Sequence, residues 1–133
     1  MAETTEFELV SPEKLLISEA AEMVVVPGAE GDFGALPRHS PMITGVRPGV
    51  IDVYQDGKVA NRIFVAGGFA EVNETRITVL AEEAIPLSDL TSEIAQHRLA
   101  AAENALAAAA TDQARREAAR HVAIAQAMQA ALS

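Results

Sequence analysis

The chain has 133 residues, half of them hydrophobic, a formal net charge of −9 and no cysteine. That length and apolar content suffice for one core and a small appendage. Without cysteine there are no disulfides, thiolate metal sites or cysteine nucleophiles; His39, His97 and His121 are too scattered for a local metal site; and the acidic balance argues against nucleic-acid or anionic-lipid partners, which need basic patches.

Met1 to Phe7 is acidic and polar, unlike a basic leader followed by an apolar stretch, and no apolar run approaches the roughly 20 residues of a bilayer span. The expectation is a soluble cytoplasmic chain without direct membrane insertion, whose membrane association runs through protein. Up to Pro86, short β-type runs alternate with turn residues: Glu6 to Val10, Leu15 to Ser18, Glu22 to Val26, Val50 to Gln55, Val59 to Val65, Phe69 to Asn73 and Arg76 to Leu80. Such spacing predicts an antiparallel β-sandwich or barrel. Asp56-Gly57 predicts a tight hairpin turn, because both central residues of that turn need positive φ, and Asn73-Glu74 predicts a second hairpin. In the last run Ile77 and Val79 are expected to face inward, with Arg76, Thr78 and Leu80 outward.

Residues 26–49, VPGAEGDFGALPRHSPMITGVRPG, hold five of the eight glycines and four of the six prolines. Glycine supplies positive-φ turns and proline removes backbone donors, so the segment is predicted to be a corner and not a strand interior. Within it Glu30, Asp32, Arg38 and His39 flank Phe33, Leu36, Met42 and Ile43. Apolar groups rimmed by charge are the composition of a protein-binding patch. The bland alternative tucks Phe33 and Leu36 into the core.

From Leu87 to Ser133 there is no Gly or Pro and alanine dominates, which predicts helix. Ser88 or Thr91 can cap a first helix, with Asp89 and Glu93 in its opening turn, and Thr111-Asp112 can start a second. Leu90 and Ile94 on the first helix, and Ile124, Met128 and Leu132 on the second, are the expected apolar stripes. Stripes this thin predict a weakly anchored hairpin able to move as a body. Charge divides at the same place: residues 1–87 carry 14 acids and 6 bases, whereas residues 88–133 carry 5 and 4. The expected fold class is therefore α+β, with a sandwich over residues 1–86 and a two-helix antiparallel hairpin over residues 87–133.

Catalytic and phosphate-binding patterns fail. Gly57-Lys58 is followed by Val59 instead of Ser or Thr, Gly28, Gly31 and Gly34 lack the strand-to-helix context of a dinucleotide loop, and His39-Ser40 belongs to no nucleophile elbow.

The wording of the Gly/Pro segment, EGDFG at residues 30–34 and RHSPMIT at 38–44, together with GGFAEV at 67–72 and ITVLA at 77–81, closely resembles the epsilon subunit of bacterial F-type ATP synthases, called delta in mitochondria. The match covers nearly the whole chain. The resemblance implies about ten short strands followed by the helical hairpin. It implies a non-catalytic subunit of the central stalk, or rotor, of a proton-translocating enzyme, peripheral on the cytoplasmic face of the bacterial inner membrane. Its sandwich would bind the gamma subunit and the ring of c subunits. By position, the family's c-ring acid falls on Asp32, with Ser11 and Glu30 nearby, and its gamma-facing histidine on His39, beside Met42.

In many relatives the hairpin extends toward the alpha/beta catalytic head and inhibits ATP hydrolysis, and in some it binds ATP through an I/L-D-x-x-R-A motif. Here Ile94 and Arg98 match, but Ala95 replaces the acid and Leu99 the final alanine, so the expectation is no cofactor, with Ile94 and Arg98 marking at most a weak ATP site. Arg115, Arg116 and Arg120 are the inhibitory contacts the resemblance implies, although Val122 to Ser133 carries no charge. The alternative function is an ATP-sensing regulatory subunit whose main role is inhibition. A free-standing nucleotide-binding module, resting only on Ile94 and Arg98, is a third.

Overall fold

Alternation of burial decides the strands. In β1 (Thr5–Val10) Thr5, Phe7 and Leu9 are buried while Glu6, Glu8 and Val10 are half-buried, the period of two that a pleated strand imposes. The computed structural model describes residues 3–12 and 14–133, so the first two residues of the acidic N-terminal stretch, Met1 and Ala2, lie outside the described residues. After β1 come β2 (Leu15–Ala21), β3 (Met23–Gly28), β4 (Gly31–Ala35), β5 (Met42–Val46), β6 (Gly49–Gln55), β7 (Lys58–Val65), β8 (Gly68–Val72), β9 (Arg76–Ala81) and β10 (Ala84–Pro86). A 3-10 turn, Leu87–Asp89, leads to α1 (Ser92–Ala108) and α2 (Asp112–Ala131).

The strands form one ten-stranded sheet in the order β10-β7-β6-β3-β5-β8-β9-β1-β2, with β4 paired to β3. β1 and β9 run parallel, and the remaining pairings are antiparallel. The sheet folds over at β3, whose Met23 to Val25 pair with β6 while Gly28 pairs with Val46 of β5. The far strand is carried back to β6, where Glu22 N–H donates to Tyr54 O at 2.9 Å and Gln55 Nε2 donates to Ala20 O at 2.8 Å. Between the layers lies a core including Phe7, Leu9, Val24, Val26, Ile51, Val53, Ile77 and Val79. Burying each such side chain contributes about 1.5–3 kcal/mol.

Asp56 and Gly57 both take positive φ, 54° and 76°, in the two-residue turn between Gln55 and Lys58, as the sequence predicts. Ile77 and Val79 are fully buried, and Arg76 and Leu80 are exposed. Residues 26–49, however, are more than a corner. β3 runs on through Pro27 and Gly28, and β4 and β5 both lie in the segment. The glycines there include positions of close packing: a Cβ on Gly28 would stand 2.8 Å from Gly31 O and 3.0 Å from the Phe33 ring. β10 lies outside the runs that the sequence marks out, and it brings the strands to the ten that the resemblance implies.

Two compact units divide between Leu87 and Ser88. In the second, Thr91 caps α1 and Thr111 caps α2, each hydroxyl accepting from the amide three residues on, Ile94 at 3.2 Å and Ala114 at 3.0 Å. The two helices lie against each other. The expected stripe on α1 needs correction, since Leu90 precedes the helix and Ile94 is exposed, whereas Ala95 and Ala102 are the buried positions. On α2, Ile124 and Met128 are buried as expected, joined by Ala118 and Ala125, but Leu132 is exposed at the C-cap.

Candidate protein interfaces

Register gathers several strand ends at one rim of the sheet. Val10 pairs with Leu80, Leu80 with Phe69, Gly68 with Val46, and Val46 with Gly28. Ser11, the Ala29-Glu30 turn and Arg47 therefore share a rim, and Asp32 lies one residue into β4 beside it. The loop from Leu36 to Pro41 springs from the opposite ends of β4 and β5, where Asn73 to Thr75 also lie. The residues that the resemblance would assign to a c-ring and to gamma thus arise from opposite ends of one sheet.

At the first rim Glu30 and Asp32 are exposed. Asp32 pairs with Arg47, a partner that sequence reasoning missed. Arg47 Nη1 also donates to Gly28 O at 2.5 Å, and its backbone N–H donates to Pro27 O at 2.9 Å. Ala29 N–H donates to Gly45 O at 2.8 Å, fastening the turn to β5. Ser11 is half-buried and engaged in its own turn, its N–H donating to Lys14 O at 2.9 Å.

At the other end Arg38 takes φ 66°, its N–H donates to Glu74 O at 2.8 Å, and its guanidinium pairs with Glu3. The His39 ring donates through Nδ1 to Ser40 O at 2.7 Å and lies 6.4 Å from the Phe33 ring, centroid to centroid. Phe33 and Met42 are half-buried and pack against the core, while Leu36 and Ile43 are exposed. Burial thus accounts for Phe33 in part and for Leu36 not at all. Met42 and Ile43, with Pro41, Glu71, Val72 and Asn73, border an open hollow of about 380 Å³.

Along the first rim runs an apolar row that sequence reasoning did not assemble. Gly45, Phe69, Leu80, Val10 and Leu15 are successive partners across five strands, with Phe69 60%, Leu80 46% and Leu15 54% exposed. The signal was present in the alternation of β8, where burying Ala70 and Val72 forces Phe69 outward.

On the helices Arg98 lines a shallow hollow of about 270 Å³ with Ala101, Ala102, Ala105, Ala118 and His121, and Ile94 is not among its walls. Arg115 pairs with Asp112, Arg120 Nη2 reaches Glu117 Oε1 at 2.8 Å, and Arg116 is exposed. The Arg120 hydrogen bond holds the Glu117 carboxyl below its ordinary value; desolvation opposes this, and the charges of Arg120 and His121 add to it. Among the described residues no group of His, Asp and Glu is placed to hold a metal ion, and no helix is long and apolar enough to cross a membrane.

A family model described as ATP synthase, Delta/Epsilon chain, beta-sandwich domain matches residues 4–87. The chain is 62% identical to the ATP synthase epsilon chain of Paramagnetospirillum magneticum over 133 residues, the full length of both. It is 61% identical to that of Rhodospirillum rubrum over 131 residues, 98% of each chain. Among solved structures it superposes on a chain of the Euglena gracilis mitochondrial ATP synthase, OSCP/F1/c-ring assembly, with TM-score 0.81 and 25% identity, covering 98% of this chain and 82% of that one. A chain of the Tetrahymena thermophila mitochondrial ATP synthase, central stalk and c-ring, shares the fold at TM-score 0.74 and 11% identity, with 98% of each covered.

Proposed function

The chain belongs to the delta/epsilon family of ATP synthases, as a bacterial F-type epsilon subunit that is part of the rotor and not itself a catalyst, and from that premise we propose that it couples the c-ring to gamma. Rotation driven by proton flow would enter the sandwich at the rim of Ser11, Glu30 and Asp32 and leave toward gamma through the region of His39 and Met42. The observation that carries this reading is the placement of those two groups at opposite ends of a single core-filled sheet. A body that transmits torque needs two attachment surfaces and little give between them, and a close-packed interior supplies that stiffness.

The acidic rim suits basic residues on c-subunit loops. Exposed charges of this kind contribute orientation and partner choice more than affinity, and they are screened within a Debye length of about 8 Å at physiological salt. The anchoring strength must then come from apolar contact, for which Ile43 and the Phe69 row supply exposed area. On this reading the subunit sits peripherally at the membrane, held there by the other subunits.

The test is reconstitution. Full-length chain is expected to co-purify with gamma and to restore coupling when added to ATP synthase depleted of it. Absence of any complex with gamma at micromolar concentration would overturn the reading.

A further inference from the structure

Arg47 occupies the corner between β5 and β6, yet its bonds all reach the β3–β4 hairpin: backbone N–H to Pro27 O, Nη1 to Gly28 O and Nη2 to Asp32 Oδ1. Resting on the reading above, we propose that Arg47 is a positioning residue for Asp32, aiming the carboxylate so that Oδ2 is presented to a cation on the partner. The Asp32 side chain is 62% exposed on a narrow hairpin, and without a tether it would exchange freely among rotamers. The planar guanidinium donates in two directions at once, so one residue holds both the turn backbone at Gly28 and the acid at Asp32. A lysine ammonium at the same place keeps the charge but has no rigid fork to hold both acceptors in fixed register.

Arg47 also changes the range of the attraction. With the guanidinium against Oδ1, the pair is nearly neutral at distances beyond its own separation, so Asp32 acts by contact and the exposed charge of Glu30, which forms no ion pair among the described residues, supplies the longer-range pull. A purely structural role for Arg47 would weaken attachment equally at all salt concentrations. Loss of the charge that neutralises Asp32 alters the salt dependence itself, whereas loss of the fork alone weakens the contact and leaves the fold's unfolding midpoint in place.

The experiment adds full-length variants to ATP synthase depleted of this subunit and measures the concentration that restores half of ATP-driven ion pumping, at low and high salt. The unfolding midpoint of each free variant is recorded alongside. Arg47→Ala is expected to need about two- to fivefold more chain at high salt, and to show a steeper salt dependence than the parent because Asp32 becomes a full but unaimed charge. Arg47→Lys is expected to bind more weakly with the parent's salt dependence, and it is the variant to read if the alanine substitution lowers the unfolding midpoint. An Arg47→Ala curve that coincides with the parent or shifts by one factor at every salt concentration, or an Arg47→Lys curve that coincides with the parent, would overturn the positioning role. Asp32→Asn separates the two levels of the argument: if it too leaves attachment unchanged, Asp32 has no partner contact and the assignment of the acidic rim fails. If it weakens attachment while the Arg47 variants do not, only the role of Arg47 is lost.

Discussion

Thr5 opens β1 with its side chain pointing into the core, 2% exposed, and its Oγ1 is the buried side-chain polar atom that finds no hydrogen-bond partner among the described residues. A buried hydroxyl without a partner gives up its bonds to water and gains none in return, a loss of about 1–3 kcal/mol. Valine has nearly the same shape, so Thr5→Val is expected to raise the unfolding free energy by about 1 kcal/mol, read as a higher denaturant midpoint with unchanged slope. An unchanged or lower midpoint would mean that the hydroxyl is satisfied. Single residues were legible in the sequence where their requirement is local. Asp56-Gly57 needs only its own two φ values, and Thr91 and Thr111 need only the amide three residues on. Arg47 was not legible, because its partner Asp32 lies 15 residues away and is brought near only when β3, β4 and β5 have paired.

Whole elements follow the same division. β1, β6 and β9 declare themselves by alternation, while β4 and β5 are hidden because glycine and proline look like punctuation. In the fold Gly28 admits the Phe33 ring and so serves close packing between β3 and β4, while Gly45 lies opposite Phe69 as an ordinary ladder position. Helix α1 misled in another way: its buried face is made by Ala95 and Ala102, and the larger Ile94 points outward. On α2 the Glu117, Arg120 and His121 cluster gives the helix a measurable titration. Glu117 is held below the ordinary carboxylate value of 4.5, with the Arg120 hydrogen bond as the largest cause. A depressed folded-state value means that the contribution to stability is fully present above the ordinary value and is lost as pH falls through the lowered one. Arg120→Ala is therefore expected to move the Glu117 midpoint upward toward 4.5, followed by the side-chain carboxyl chemical shift against pH. A midpoint that stays put would remove Arg120 as the cause.

At the scale of the whole molecule the division near residue 87 was legible from composition alone, since glycine, proline and most of the acids stop there together. The sandwich core draws its residues from Phe7 to Ala84, so the first unit contains its own hydrophobic centre. If rotation passes through that unit, the helices are dispensable for coupling. Their claim to an inhibitory role rests on Arg115, Arg116 and Arg120, and two of these are already paired with Asp112 and Glu117 on the same helix. Breaking exposed i, i+3 pairs costs little, but three arginines against two acids leave α2 with only one net positive charge to offer an acidic partner. A chain ending at Leu87 is therefore expected to restore ion pumping to depleted ATP synthase as well as the full chain does, while hydrolysis by the assembled complex stays within about twofold. Loss of pumping would place part of the coupling path in the helices. A several-fold rise in hydrolysis with pumping intact would instead make them a brake, with Arg116, the arginine of the three that forms no ion pair among the described residues, as the first residue to substitute.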